Sequence, residues 1–269
     1  MTKLIITNGD MAAERISKIQ PEAKVLPWRD VLHEGPLTLH ESLPDQSEER
    51  AAFIADFADQ PLEQVQRDFA ERDQTFLKAT EYDRVELWFE HDLYDQLQLL
   101  QILYFAKQYM PDVDLYLVQA DDYLCELSDR DFENLPQKAM AVTQAQAEYA
   151  QACWQALMTG QAIEETGPLP YVAQALARFE KEKAEIPHSL ILAARPLRDG
   201  CVTVLEMFKA MQAAEEAKFM GDLSFYHMIR RFLVGEDALF QGAYEEGMEY
   251  RVFFDLKLEL TALGRAKLL

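Results

Sequence analysis

The chain has 269 residues, 49% of them hydrophobic, and a net charge of −21. Its length suits two cores rather than one small one, and no apolar run approaches the ~20 residues of a membrane span. The 47 acidic and 26 basic residues are mixed along the sequence, so the surface repels nucleic-acid phosphates at long range.

Residues 3–7 form a short β-branched run that ends in Asn8-Gly9-Asp10. An amphipathic segment over 11–19 follows, with Met11, Ile16 and Ile19 apolar, and Pro21 stops it. Residues 24–28 read as a second strand. Strand, turn, helix and strand in under thirty residues is a βαβ unit, with parallel strands and a right-handed crossover. Trp28-Arg29-Asp30 and the turn His33-Glu34-Gly35-Pro36 come next, and 37–45 is read as an irregular loop. Helices are expected over 47–57 and 61–79, each with one apolar stripe. Residues 85–89 are the third strand. From Asp92 the period turns helical, with Leu93, Leu97, Leu100 and Tyr104 on one face, until Pro111. Residues 114–118 form the fourth strand, ending in Gln119-Ala120-Asp121.

These elements predict an α/β domain over 1–125, doubly wound around a mostly parallel sheet of order 2-1-3-4. A helical connecting region is expected over 126–187, with helices at 143–158 and 170–183. Residues 188–269 read as a winged-helix-like module. Its helices are 201–214 and 223–233, the second capped by Asp222. A hairpin of 238–240 with 251–260 follows, then a last helix capped by Thr261. Cys125, Cys153 and Cys201 lack metal-site spacing and read as reduced thiols. The first ten residues carry no signal-type apolar core. A cytoplasmic protein without membrane attachment is therefore expected.

In open α/β sheets a ligand crevice lies at the carboxyl ends of the strands, where the strand order reverses. Asn8-Gly9-Asp10, Trp28-Arg29-Asp30 and Glu90-His91-Asp92 should meet there. Gly9 allows backbone to approach an anion at a helix N-terminus; the alternative is a plain turn with Asp10 as N-cap. Asp10, Glu90 and Asp92 are candidate ligands for a hard divalent cation, Mg²⁺ or Mn²⁺. Asp10, Glu90 and His91 are the candidate catalytic groups, His91 as a general acid or base. Asp92 alone, with Asp95 three residues on, is also explained as an N-cap and an acidic first turn. Arg29 can grip a phosphate or carboxylate bidentately or pair with a neighbouring carboxylate. Glu34 is a candidate by position.

NGD after the first strand, WRDVLHEGP after the second and LWFEHDLYDQLQLL at the third resemble a bacterial family known as domain of unknown function 1835. The later segments LPYVAQALARF, FMGDLSFYHMIRRF and LELTALGRAKLL are similar to the part often attached in that family. The resemblance implies an α/β domain with a helical, winged-helix-like tail, and no particular activity. Its family-like positions are Asn8, Gly9, Asp10, Trp28, Arg29, Glu34, Gly35, Pro36, His91, Asp92 and Gln96. Asn8, Gly9, Arg29, Glu34, Asp92 and Gln96 are the expected ligand-binding residues.

Two functions are thus carried forward. One is binding or processing of a phosphorylated or nucleotide-like molecule at the sheet edge with a divalent metal. The other is a non-enzymatic regulatory or interaction protein whose winged-helix-like end contacts protein or nucleic acid. The wing region carries Glu245, Glu246, Glu249 and Asp255, so nucleic acid is not the expected partner. Oligomeric state and the question of enzyme or binder stay open at the level of sequence.

Overall fold

The computed structural model describes residues 2–161, 163 and 166–269, in two compact units, Met1–Leu176 and Ala177–Leu269. The first unit runs β1 (Lys3–Thr7), α1 (Asp10–Ile19), β2 (Ala23–Pro27), α2 (Leu43–Phe57), α3 (Leu62–Leu77), β3 (Arg84–Phe89), α4 (Leu93–Tyr109), β4 (Leu115–Gln119), α5 (Asp129–Glu133), β5 (Met140–Ala141) and α6 (Gln144–Thr159). Helix α7 (Val172–Glu182) spans the division.

Its sheet has the order β2-β1-β3-β4-β5. The first four strands are parallel, with Lys3 opposite both Ala23 and Arg84, and Val85 opposite Leu115. The expected 2-1-3-4 order is therefore observed. The antiparallel β5 adds two residues at the edge, too short a run to carry a strand pattern. Continuous apolar runs explain the centre: Leu4, Ile5 and Ile6 of β1 and Val85, Leu87, Trp88 and Phe89 of β3 are fully buried, as parallel strands covered on both faces must be.

Helix α4 is buried on nearly every side. Alongside its leucines it buries Asp95, Gln96, Gln98 and Gln101 completely, and these polar residues reach loops that follow the strands. The Trp28 indole donates to Gln101 Oε1 at 2.5 Å, and the Gln101 amide donates to Gln46 at 3.2 Å. The Gln98 amide donates to the Asp30 carbonyl at 2.7 Å.

The loop after β2 closes around Arg50 of α2. Its guanidinium pairs with the Asp30 carboxylate at 2.8–2.9 Å, both side chains being fully buried. It also donates to the carbonyls of Val31 (2.9 Å), Glu34 (2.8 Å) and Pro36 (2.9 Å). Burying a guanidinium is tolerable because its donors are matched this way. Gly35 has φ +74°, and a Cβ there would meet the Phe53 ring at 2.6 Å. The turn thus needs glycine for conformation and for space.

The second unit contains α8 (His188–Ala194), β6 (Val202–Thr203), α9 (Val204–Ala214), α10 (Asp222–Arg231), β7 (Phe240–Gln241), α11 (Tyr250–Asp255), β8 (Lys257–Leu260) and α12 (Ala262–Leu268). Its antiparallel strands are ordered β6-β8-β7. The expected strand over 251–260 is half wrong: Tyr250–Asp255 is helical. Strand alternation of buried and exposed residues starts at Lys257. Phe253 and Phe254 are adjacent aromatics that pack on Tyr226 at 4.7 Å and on Phe208 at 6.2 Å. Gly221, not Asp222, is the N-cap of α10, while Thr261 caps α12 as expected.

Removing one partner of a buried ion pair strands the other charge, at a cost of about 3–5 kcal/mol. Arg50→Ala and Asp30→Ala should each lower the urea unfolding free energy by about that much, and the double variant by clearly less than the sum. Additive losses would show that the latch does not act as a unit.

Candidate functional site

The crossover direction reverses between β1 and β3, so the crevice of this fold lies beyond Thr7 and Phe89. Asn8 follows β1 there and Glu90 follows β3. Asp92 is the N-cap of α4, as the sequence indicates: its carboxylate accepts the N–H groups of Tyr94 at 2.9 Å and Asp95 at 3.3 Å. Helix geometry then returns Asp95, one turn on, to the same side as Asp92.

Three carboxylates converge at this point. Glu90, Asp92 and Asp95 each offer an oxygen, and these atoms lie within 4.8 Å of one another. Their exposures are 6%, 3% and 0%, so water does little to screen them. Glu90 accepts the Leu124 N–H at 2.8 Å. Asp95 accepts the Asn8 amide at 2.9 Å and the Glu90 N–H at 2.5 Å. These partners are all neutral. Gln96 anchors the turn by donating to the Glu90 carbonyl at 2.5 Å, while its own buried Oε1 finds no hydrogen-bond partner among the described residues.

Repulsion between two such charges is worth about 3–4 kcal/mol even at an effective dielectric of ~20. The carboxyls respond by holding protons. Burial, then the Asp92 charge, lifts Glu90 to about 7. Burial lifts Asp92 to about 6. Burial, then Asp92 and Glu90, lifts Asp95 well above the usual carboxylate range. A set of hard oxygen donors with excess negative charge is also what Mg²⁺ or Mn²⁺ requires.

The residues singled out in the sequence fall into two groups. Asn8, Glu90, Asp92 and Gln96 come together in and around the cluster. Asp10 and Arg29 form a separate pair: Arg29 Nε and Nη2 grip the Asp10 carboxylate at 2.9 and 2.6 Å, with 50% and 69% of the two side chains exposed. Asp10 is thus not one of the three converging carboxylates, and the N-cap of α1 is Gly9 rather than Asp10. The extended backbone of Gly9, φ −161° and ψ −175°, is open to any residue. Arg29 itself sits at φ +58°. Glu34 contributes its backbone carbonyl to Arg50. His91 lies between the rings of Tyr123 (5.1 Å) and Tyr171 (5.9 Å), with a buried Nδ1 that has no partner among the described residues.

By sequence alone, Asp95 reads as part of an acidic first helical turn. The signal that finds it is spacing, since it lies three residues after an N-cap that itself follows a strand-end carboxylate. Arg50 carries no such local signal. Comparison with protein-family models and with curated proteins returned no match.

A carboxyl whose pKa is higher in the fold than in the unfolded chain stabilises the fold fully below the unfolded value. That contribution is lost as pH rises through the folded value. For Glu90 and Asp92 the window runs from about pH 4 to about pH 7. In the presence of chelator, the unfolding free energy should fall by a few kcal/mol across that window. Glu90→Gln, an isostere of the protonated acid, should fall less and exceed the wild type in stability at pH 8. Parallel pH profiles for the two proteins would contradict this.

Proposed function

We propose that the protein binds a phosphorylated or nucleotide-like ligand at the carboxyl edge of its parallel sheet, with a divalent cation held by Glu90, Asp92 and Asp95. The observation that supports this reading is the convergence of three buried carboxylates, served by neutral donors, beside the reversal of strand order. A protein of net charge −21 attracts an anionic ligand poorly, and a bound cation reverses the local sign. Mg²⁺ and Mn²⁺ both accept such carboxylate oxygens and keep open positions for phosphate. A cation held by such carboxylates suits phosphoryl chemistry, in which it stabilises the reacting oxygens. His91, the residue after Glu90, is the proposed proton carrier.

A second reading concerns the C-terminal unit. Its order of helix, short strand, two helices and two further strands, with the sheet arranged β6-β8-β7, supports a winged-helix-like module in which α11 occupies the wing. Val234 and Val252 leave 58% and 50% of their surface exposed on it, which favours a protein partner. A partner captured by the full chain and lost on Val252→Asp supports that role; capture unaffected by substitution there argues against it.

The primary reading is tested by thermal shift and Mn²⁺ titration at pH 7.5. Mn²⁺ or Mg²⁺ at a hundred times Kd should stabilise the fold by about 2.7 kcal/mol, Glu90→Gln should bind at least tenfold more weakly, and a nucleoside phosphate should add a further shift only with metal present. A short DNA duplex at low salt belongs in the same panel and should give no shift. Failure of both metals at millimolar concentration would refute the cation site.

A further inference from the structure

A second feature opens at the same sheet edge. A cavity of about 340 Å³ lies beyond the ends of β1 and β2. Trp28, Phe69 and Tyr94 are among its walls, and Asp10, Arg29 and Asp68 are among its polar lining. Its volume is at the small end of ligand pockets, roughly 300–1,000 Å³, which fits one ring system and excludes a dinucleotide.

The charges of this cavity decide what it takes. It contains two arginines, and both are committed. Arg29 spends its Nε and Nη2 fork on Asp10, and Asp68 lies near enough to act on the same guanidinium. Arg72 donates to the Trp28 carbonyl, Ser47 and Asp73 and lies flat over the rings of Trp28 (4.2 Å) and Phe69 (4.3 Å). It is therefore part of the wall and not a hook for anions. The rim consists of two carboxylates around one occupied guanidinium. A phosphate placed there would be repelled, whereas N–H donors on a flat ring would be accepted.

Two further observations point the same way. Gly9 lines the cavity, and a Cβ on it would meet no protein atom within 4 Å. Its extended backbone gives no conformational reason for glycine, so what its hydrogen provides is space. Arg29 is held in the left-handed region at a cost of about 1 kcal/mol or more, yet its side chain stays half exposed. The Asp10–Arg29 pair lies at the rim of the cavity.

We infer that this cavity receives the base of the ligand, a single flat heteroaromatic ring system of purine size carrying amino donors, while the ligand's phosphate lies at the acidic cluster. The inference rests on the function proposed above for that cluster. The two places adjoin along two elements: Gly9 follows Asn8, whose amide binds Asp95, and Tyr94 precedes Asp95. An acidic protein can in this way hold an anionic ligand, with the base among carboxylate acceptors and the phosphate against a cation.

The test uses the full chain in EDTA, with adenosine, guanosine and ribose 5-phosphate each at millimolar concentration, read by saturation-transfer NMR. The ring protons of one or both nucleosides should be saturated and ribose 5-phosphate should not. Gly9→Leu, which fills the space, and Asp68→Asn, which removes a rim acceptor, should each weaken binding about tenfold. Because the chelator removes every cation, the result is independent of the metal site. Mn²⁺ binding without nucleoside binding would overturn this inference and leave the cation site standing, and the reverse result would do the opposite. Nucleoside binding that survives both Gly9→Leu and Asp68→Asn would also overturn it. Should Gly9→Leu fail to fold, Asp68→Asn decides alone.

Discussion

Three carboxylates shut away from water cannot all carry their charge. That constraint governs the sheet edge of this protein. The chain brings Glu90 in at the end of β3 and Asp92 and Asp95 in at the first turn of α4, and supplies neutral donors from Asn8, Leu124 and the backbone of the turn. Those donors orient the oxygens without neutralising them. The remaining charge has to be met by protons, by a cation, or by exchange of one for the other.

The surrounding architecture serves to keep this cluster where it is. Helix α4 is apolar enough to be buried all round, yet it turns Gln98 and Gln101 toward the loop after β2 and Gln96 toward Glu90. Arg50 draws the same loop around itself through Asp30 and three carbonyls. The two strand-end loops are therefore tied to a single helix. Their geometry is set by buried polar bonds, which are costly to leave unmade and so resist drift. Asp10 and Arg29 fall outside this set and pair with each other at an exposed rim.

Much of the first unit was legible in the sequence because its strands obey one rule. Runs such as LIIT and VELWF are mostly apolar, with Glu86 a buried exception, and parallel strands between two helical layers need no polar face. Asp92 was legible as an N-cap because capping has a local pattern. Asp95 and Arg50 were not, since a charged residue on a helix ordinarily faces solvent, and what buries these two is contributed by Asn8 and Asp30 from elsewhere in the chain. The grouping of Asp10 with Glu90 failed for a related reason: strand order fixes which loops adjoin, but not which way a side chain turns, and Arg29 turns Asp10 outward. In the second unit, FF within YRVFFD suits a strand or a helix equally, and packing against Phe208 and Tyr226 chose the helix.

The central claim is that the cluster stores protons which a divalent cation displaces. Calorimetric titration of Mn²⁺ into the metal-free protein at pH 6, in two buffers of different ionisation enthalpy, measures this directly. The account expects saturable binding with release of about one proton per Mn²⁺, because Glu90, lifted to about 7, is largely protonated at that pH. Binding whose heat does not depend on the buffer, or no binding at all, would contradict it.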